Sequence, residues 1–129
     1  MRLDGYKSVV NKTQRETFEF LQDTHNFEKL MPEDLSFFEA RDTGFAFQLT
    51  GMPVKIVLKK KEAIEFSSVT YESAGSINFE LNAKLTEVEE EKTNVEFVFE
   101  GQLNPMIRMM AEKPLKKLLE VFSTNIEKI

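Results

Sequence analysis

The chain has 129 residues, 41% of them hydrophobic, which is the size of one domain with material for a core that needs no disulfide or metal staple. It has no cysteine, which excludes disulfides, thiolate nucleophiles and zinc–sulfur sites and suits a reducing cytosol. Its formal charge of −5, from 17 basic and 22 acidic side chains, argues against a nucleic-acid surface, because phosphate binding asks for a net basic face.

Met1-Arg2-Leu3-Asp4-Gly5 is too polar and too short for a secretory apolar region, and no apolar run approaches membrane-spanning length. A cytoplasmic protein without stable membrane insertion is expected. Residues 6–10 are short and β-prone. Thr13-Gln14-Arg15-Glu16 reads as a capping box, in which the Thr hydroxyl accepts from the Glu16 backbone N–H and the Glu carboxylate reaches back. A helix follows with Phe18 and Leu21 on its buried side and Phe20 flanking, running out near Asp23-Thr24. Residues 26–31 give a second helical turn carrying Phe27, Leu30 and Met31, stopped by Pro32.

After Pro32 the hydrophobic period changes from helical to alternating. Residues 35–41 form one candidate strand, broken by Asp42-Thr43-Gly44. Phe45, Phe47 and Leu49 alternate with Ala46, Gln48 and Thr50 in the next, and Val54, Ile56 and Leu58 share a face opposite Lys55 and Lys59 in a third. Residues 63–71 give a fourth, with Glu72-Ser73-Ala74-Gly75 as a turn. Ile77, Phe79, Leu81, Ala83 and Leu85 form the clearest strand, and Val95, Phe97 and Phe99 repeat its pattern against Glu96 and Glu100. Consecutive strands that are each wet on one side predict an antiparallel sheet with one buried face. Lys59-Lys60-Lys61 reads as a solvated strand end that discourages edge pairing. Glu87, Glu89, Glu90 and Glu91 read as a charged hairpin tip.

Asn104-Pro105 opens a long final helix, with Pro at its first position. Ala111, Leu115, Leu118, Leu119, Phe122, Ile126 and Ile129 fall on one stripe at about 100° per residue, with Lys113, Lys116, Lys117 and Glu120 opposite. Pro114 interrupts the helical hydrogen bonding, so residues 106–113 are expected as a separate turn leaning on the rest, with a cavity mouth at the bend. Nothing divides residues 1–129, which read as one domain.

This order of elements resembles the helix-grip superfamily, collectively SRPBCC, which includes START lipid-transfer domains, birch-pollen-allergen-like proteins and polyketide cyclases. The resemblance covers essentially the whole chain. It is carried by Asn26-Phe27-Glu28-Lys29-Leu30-Met31-Pro32 and by Asn104-Pro105; "NFEKLMP" and "LNPMIRMMAEKPLKKLLE" look like small bacterial members of the polyketide-cyclase-like branch. The resemblance implies an α+β helix-grip fold: a curved antiparallel β-sheet wrapped around a long C-terminal α-helix, with two short helices after the first strand.

Few residues suit chemistry. His25 is the one histidine; it could serve as a general base at a pocket rim, or simply cap and face water between the short helices. No Gly-x-Ser-x-Gly elbow, HExxH, glycine-rich phosphate loop or EF-hand pattern occurs, and no metal or cofactor is expected. Ser68, Thr70, Tyr71 and Asn125 are polar groups on or beside apolar faces that could orient a ligand or bond to backbone. Arg108 could meet a ligand carboxylate. Met109 falls opposite the apolar stripe, where it would be exposed or interfacial.

The expected function is a binding or carrier domain for a small hydrophobic molecule (lipid, aromatic or polyketide-like) held between sheet and closing helix, without catalysis. The expected lining is Phe45, Phe47, Ile56, Phe66, Phe79, Leu81, Phe97, Phe99, Met106, Met110, Leu118 and Phe122. Two other readings stand beside it. One is a cyclase- or dehydratase-like enzyme using the same pocket. The other is a protein-interaction module with a filled cavity, pairing through a sheet edge or the Met-rich helix start, a homodimer included.

Overall fold

A computed structural model describes residues 1–52, 55–73 and 78–129. Val54, Ala74, Gly75 and Ile77, which the sequence pattern assigns to a strand, a turn and a strand, lie outside the described residues. The elements run β1 (Arg2–Asp4), β2 (Ser8–Val10), α1 (Gln14–Gln22), a 3₁₀ segment (Thr24–Leu30), β3 (Phe37–Arg41), β4 (Gly44–Gln48), β5 (Ile56–Ile64), β6 (Ser68–Ser73), β7 (Phe79–Glu89), β8 (Lys92–Gly101), α2 (Pro105–Asn125) and a last 3₁₀ turn (Ile126–Lys128). The strands form one antiparallel sheet in the order β1-β8-β7-β6-β5-β4-β3, with β2 also on β8.

Alternation sets which face each strand buries. Phe79, Leu81, Ala83 and Leu85 of β7 and Val95, Phe97 and Phe99 of β8 point inward, while Glu80, Asn82 and Lys84 face out. The register Leu81↔Phe99, Ala83↔Phe97, Leu85↔Val95 keeps apolar side chains opposite one another. Glu90 and Glu91 form the tip of that hairpin, as the acidic run predicts. The Arg41↔Gly44 pairing closes β3–β4 around Asp42-Thr43. Gly44 is required by close approach, since a Cβ there would stand 2.1 Å from the Leu58 carbonyl oxygen.

Three features depart from the sequence reading. Residues 2–4, to which the sequence pattern assigns no element, form an edge strand registered Arg2↔Glu100 to Asp4↔Val98 on β8. Residues 63–71 are not one strand: β5 continues through Ile64, and the chain turns at Phe66, whose φ is 62°. Lys59-Lys60-Lys61 therefore lies within β5, beside a register shift between Lys60 and Glu62. Finally, α2 is continuous through Pro114. One proline removes a single i→i−4 hydrogen bond, and the neighbouring bonds and the packed stripe keep residues 106–113 in the same helix.

That stripe, Ala111, Leu115, Leu118, Leu119, Phe122 and Ile126, is buried on the sheet. Asn104 caps the helix, its Oδ1 accepting from the Ile107 N–H at 2.9 Å. At the other end Ser8 Oγ donates to the Ser123 carbonyl at 2.6 Å and Asn125 Nδ2 donates to the Leu30 carbonyl at 3.0 Å. The C-terminal half of α2 thus clamps β2 and the first 3₁₀ segment onto the sheet. Helix α1 begins with the predicted capping box: Glu16 N–H donates to Thr13 Oγ1 at 3.0 Å, and Thr13 N–H donates to Glu16 Oε1 at 3.2 Å.

Candidate functional site: an aromatic grip closed by Phe27

Nine of the twelve expected lining residues meet in one core between sheet and α2. Phe45 and Phe47 come from β4, Ile56 from β5, Phe79 and Leu81 from β7, Phe97 and Phe99 from β8, and Leu118 and Phe122 from α2; all are buried. Phe66 stands apart. Its half-buried ring packs edge-on against Phe18 of α1, with centroids 5.6 Å apart, at the far turn of β5–β6. Met106 and Met110 stand on the outer side of α2, 73% and 46% exposed.

The space beneath α2 is filled, and Phe27 of the first 3₁₀ segment does much of the filling. Its ring stacks on Phe45 (centroids 4.4 Å apart, planes at 17°) and meets Tyr71 and Phe122 edge-on at 5.2 and 6.0 Å. Phe45 in turn meets Tyr71 at 5.4 Å, and Phe97 meets Phe122 at 5.4 Å. Offset and edge-on geometries set the positive ring edges against negative faces, which adds to the area these rings bury. The sequence pattern places Phe27 on the second short helical turn but not in this cluster. The "NFEKLMP" run was its signal.

The polar groups near this cluster are few and engaged. Tyr71 donates its hydroxyl to the Leu21 carbonyl at 2.8 Å. Burial pushes its ionisation well above the ordinary tyrosine range, and the negative charge of Asp23 adds to this. Thr70 lies on the other side of its strand, accepting from Asn82 Nδ2 at 2.6 Å. Asn125 is spent on the carbonyls of Leu30 and Met31. His25 is exposed, 3.2 Å from Asp23. Arg108 pairs with Glu112 across one helical turn at 3.5 Å. Among the described residues no group of three or more His, Asp or Glu is placed to hold a metal ion. The interior is therefore a packed apolar core, and the phenol that joins its aromatic cluster, Tyr71, is neutral and hydrogen-bonded.

A narrow cleft reaches the core residues Leu49 and Leu118 from outside. Pro32, Asp34, Leu49, Thr50, Pro114, Lys117 and Leu118 line it, and its volume is about 50 Å³. It opens into a shallow surface groove along Thr50, Lys113, Pro114, Lys116, Lys117 and Glu120. Cleft and groove meet at Pro114, where the sequence suggested a mouth, although the helix does not break there; other surface hollows lie along Arg2, Glu80 and Glu100 on the outer face of the sheet. Small-molecule pockets usually hold roughly 300 Å³ or more, so the cleft as it stands is an entrance rather than a chamber.

No protein-family model matches the chain, and no curated protein matches it in sequence. Solved structures do match in shape. Norcoclaurine synthase from Thalictrum flavum, in complex with dopamine and hydroxybenzaldehyde, aligns at a TM-score of 0.75 with 11% identity, over 99% of this chain and 84% of the other. A START superfamily protein from Mycobacterium smegmatis aligns at 0.67 with 10% identity, over 98% and 97%. This chain has a START-like helix-grip fold. The Aha1 dimer from Colwellia psychrerythraea aligns too, at 0.60 with 15% identity, over 98% and 96%. In this helix-grip domain the grip is α2 on the inner sheet face, and the first 3₁₀ segment leads through Met31 to Pro32 at the cleft. Among the described residues, no helix is long and apolar enough to cross a membrane.

Proposed function

We propose that this chain binds and carries a small, largely apolar molecule between the sheet and α2, and that Phe27 holds the place of that molecule in the closed form. The observation carrying this reading is the position of Phe27. Its ring is the one member of the Phe45–Tyr71–Phe122 cluster supplied by neither the sheet nor the closing helix. It comes from a short 3₁₀ segment, and such segments have poorer hydrogen-bond geometry than an α-helix and open at lower cost. Moving the segment outward would vacate the volume of an aromatic side chain. It would also widen the cleft at Pro32, which follows directly in sequence.

The energetics suit a ligand of the same chemistry. Exposing a buried Phe costs about 1.5–3 kcal/mol, and an apolar ligand that refills the site recovers comparable burial. The Thalictrum neighbour supports the reading by analogy of fold, since that protein is complexed with two small aromatic molecules. Catalysis is not part of the proposal, because the carboxylates lie on wet surfaces and the Tyr71 hydroxyl is already engaged.

The test is a thermal-shift and native mass-spectrometry screen of wild type and Phe27→Ala against fatty acids, small aromatics and polyketide-like phenols. At least one class should bind wild type, and the same class should bind Phe27→Ala more tightly, since the side chain no longer competes. If no compound shifts the melting temperature of either protein or appears bound to either, the reading is wrong.

A further inference from the structure

The outer face of α2 carries an arrangement that the folded core does not use. Met106, Met109 and Met110 are 73%, 84% and 46% exposed. Spaced i, i+3 and i+4, they form one patch over the first turns of the helix. On the same outward side, one and two turns further on, stand Lys113, Lys116 and Lys117, all exposed. The buried stripe from Ala111 to Ile126 lies diametrically opposite. Among the described residues no ion pair forms at any of these three lysines, whereas Arg108 is held by Glu112. The face therefore reads, from N- to C-terminus, as an apolar half followed by a net cationic half of three unpaired lysines, with Glu120 one turn beyond Lys116.

From this order we infer that the outer face of α2 docks on an anionic phospholipid surface. Methionine thioethers are unbranched and polarizable, and they adapt to disordered acyl chains. Lysine ammonium groups on long stems reach the phosphate level while their methylenes stay in the apolar layer. From Met106 to Lys117 the helix advances about 16 Å at 1.5 Å per residue. That length lets the methionine turns sit below the headgroups while the lysines remain among them, the depth at which surface helices lie. The charge pattern favours this orientation: the chain as a whole is at −5, so an anionic surface repels the molecule on average while attracting this face. A protein partner is less well matched, because the patch lacks the Trp and Tyr anchors around which protein interfaces concentrate their energy. The inference goes beyond the ligand reading and holds whether or not the grip opens.

Co-sedimentation tests it, using full-length protein with vesicles of phosphatidylcholine alone and of phosphatidylcholine mixed with phosphatidylglycerol. The protein should pellet with the mixed vesicles and not with phosphatidylcholine alone, and added salt should release it. Replacing Lys113, Lys116 and Lys117 together by Glu should weaken binding at least on the order of a hundredfold. Met106→Ser/Met109→Ser/Met110→Ser should weaken it by about tenfold or more. The single variant Met109→Ser, at the most exposed position, should fold like wild type by circular dichroism and still bind measurably less. Equal pelleting with both vesicles, no pelleting with either, or indifference to these substitutions would overturn the inference. So would light scattering that shows a dimer dispersed by the methionine changes in protein that ignores vesicles, since the face would then join two copies.

Discussion

Phe27 and Phe45 lie with ring centroids 4.4 Å apart and planes 17° from parallel, which ties the first 3₁₀ segment to β4. The contact joins residues far apart in sequence, and both rings are fully buried. Truncating Phe27 to Ala should therefore cost about 3–5 kcal/mol, and Phe27→Leu distinctly less, because less of the volume is lost. Urea unfolding at constant m-value measures both. A cost for Phe27→Ala below about 1 kcal/mol would mean that the segment collapses freely into the vacated space, and that Phe27 is not a wedge.

Tyr71 couples the same cluster to α1 through its bond to the Leu21 carbonyl. Tyr71→Phe keeps the ring and leaves that carbonyl without its donor, which should cost about 1–3 kcal/mol. The tyrosine also predicts an alkaline limit. Its folded ionisation lies above the ordinary value of 10.0, so the unfolded chain releases the proton first. Stability from this source is intact below about pH 10 and falls as pH rises from there toward the folded value. Tyr71→Phe should flatten that alkaline decline; an identical decline in both proteins would remove Tyr71 from the explanation.

The strands and both α-helices were legible because each rests on a local rule: period-two alternation from Phe45 to Leu49 and from Phe79 to Leu85, the Thr13–Glu16 box, and the Ala111–Ile126 stripe. The turn at Phe66 was not, since no Gly, Pro or Asn marks it and a bulky residue takes the positive φ. Nor was the edge strand β1, whose Arg2 and Asp4 carry no strand propensity and are held by pairing with β8. The outward placement of Met106 and Met110 follows from their helical phase. Expecting them in a cavity weighed residue type above position. Whether the phenylalanines wall a chamber or fill it was out of reach, because that depends on Phe27, a side chain from outside the sheet.

The capping box at α1 predicts acid behaviour. The Glu16 carboxylate accepts from the Thr13 N–H, and this bond together with the Thr13 hydroxyl holds its ionisation below the ordinary carboxylate value. A depressed folded pKa contributes stability that is present above the unfolded value and lost as pH falls through the folded one. Glu16→Gln should therefore be less stable than wild type at neutral pH, and the gap should close in acid. Thr13→Ala removes the cap itself and should cost about 0.5–2 kcal/mol. Chemical denaturation at pH 7 and pH 3 separates the two, and a gap for Glu16→Gln that persists undiminished in acid would contradict this account.

Gly44 meets β5 so closely that a side chain has nowhere to go. A Cβ would stand 2.1 Å from the Leu58 carbonyl oxygen and 3.0 Å from the Lys59 Cα, both backbone atoms that cannot swing aside. Gly44→Ala should cost about 1–3 kcal/mol by forcing the β4–β5 ladder apart, and amide exchange at Phe45 and Lys59 should accelerate. Wild-type exchange rates in the variant would show that the ladder tolerates the methyl group.

Asn125 ties the closing helix to the segment that carries Phe27. Its Nδ2 donates to the Leu30 carbonyl at 3.0 Å, while Pro32 and Leu118 flank the cleft close by. Removing this tether should loosen the 3₁₀ segment more than the sheet. Asn125→Ala is expected to cost about 1 kcal/mol globally, yet to raise hydrogen exchange selectively from His25 to Met31. If the segment is the door to the grip, the variant should also take up an apolar ligand faster than wild type at nearly unchanged affinity, because the rate is set by opening. Uniform exchange acceleration across β7 and β8 would instead make Asn125 a general stabilising contact with no part in opening.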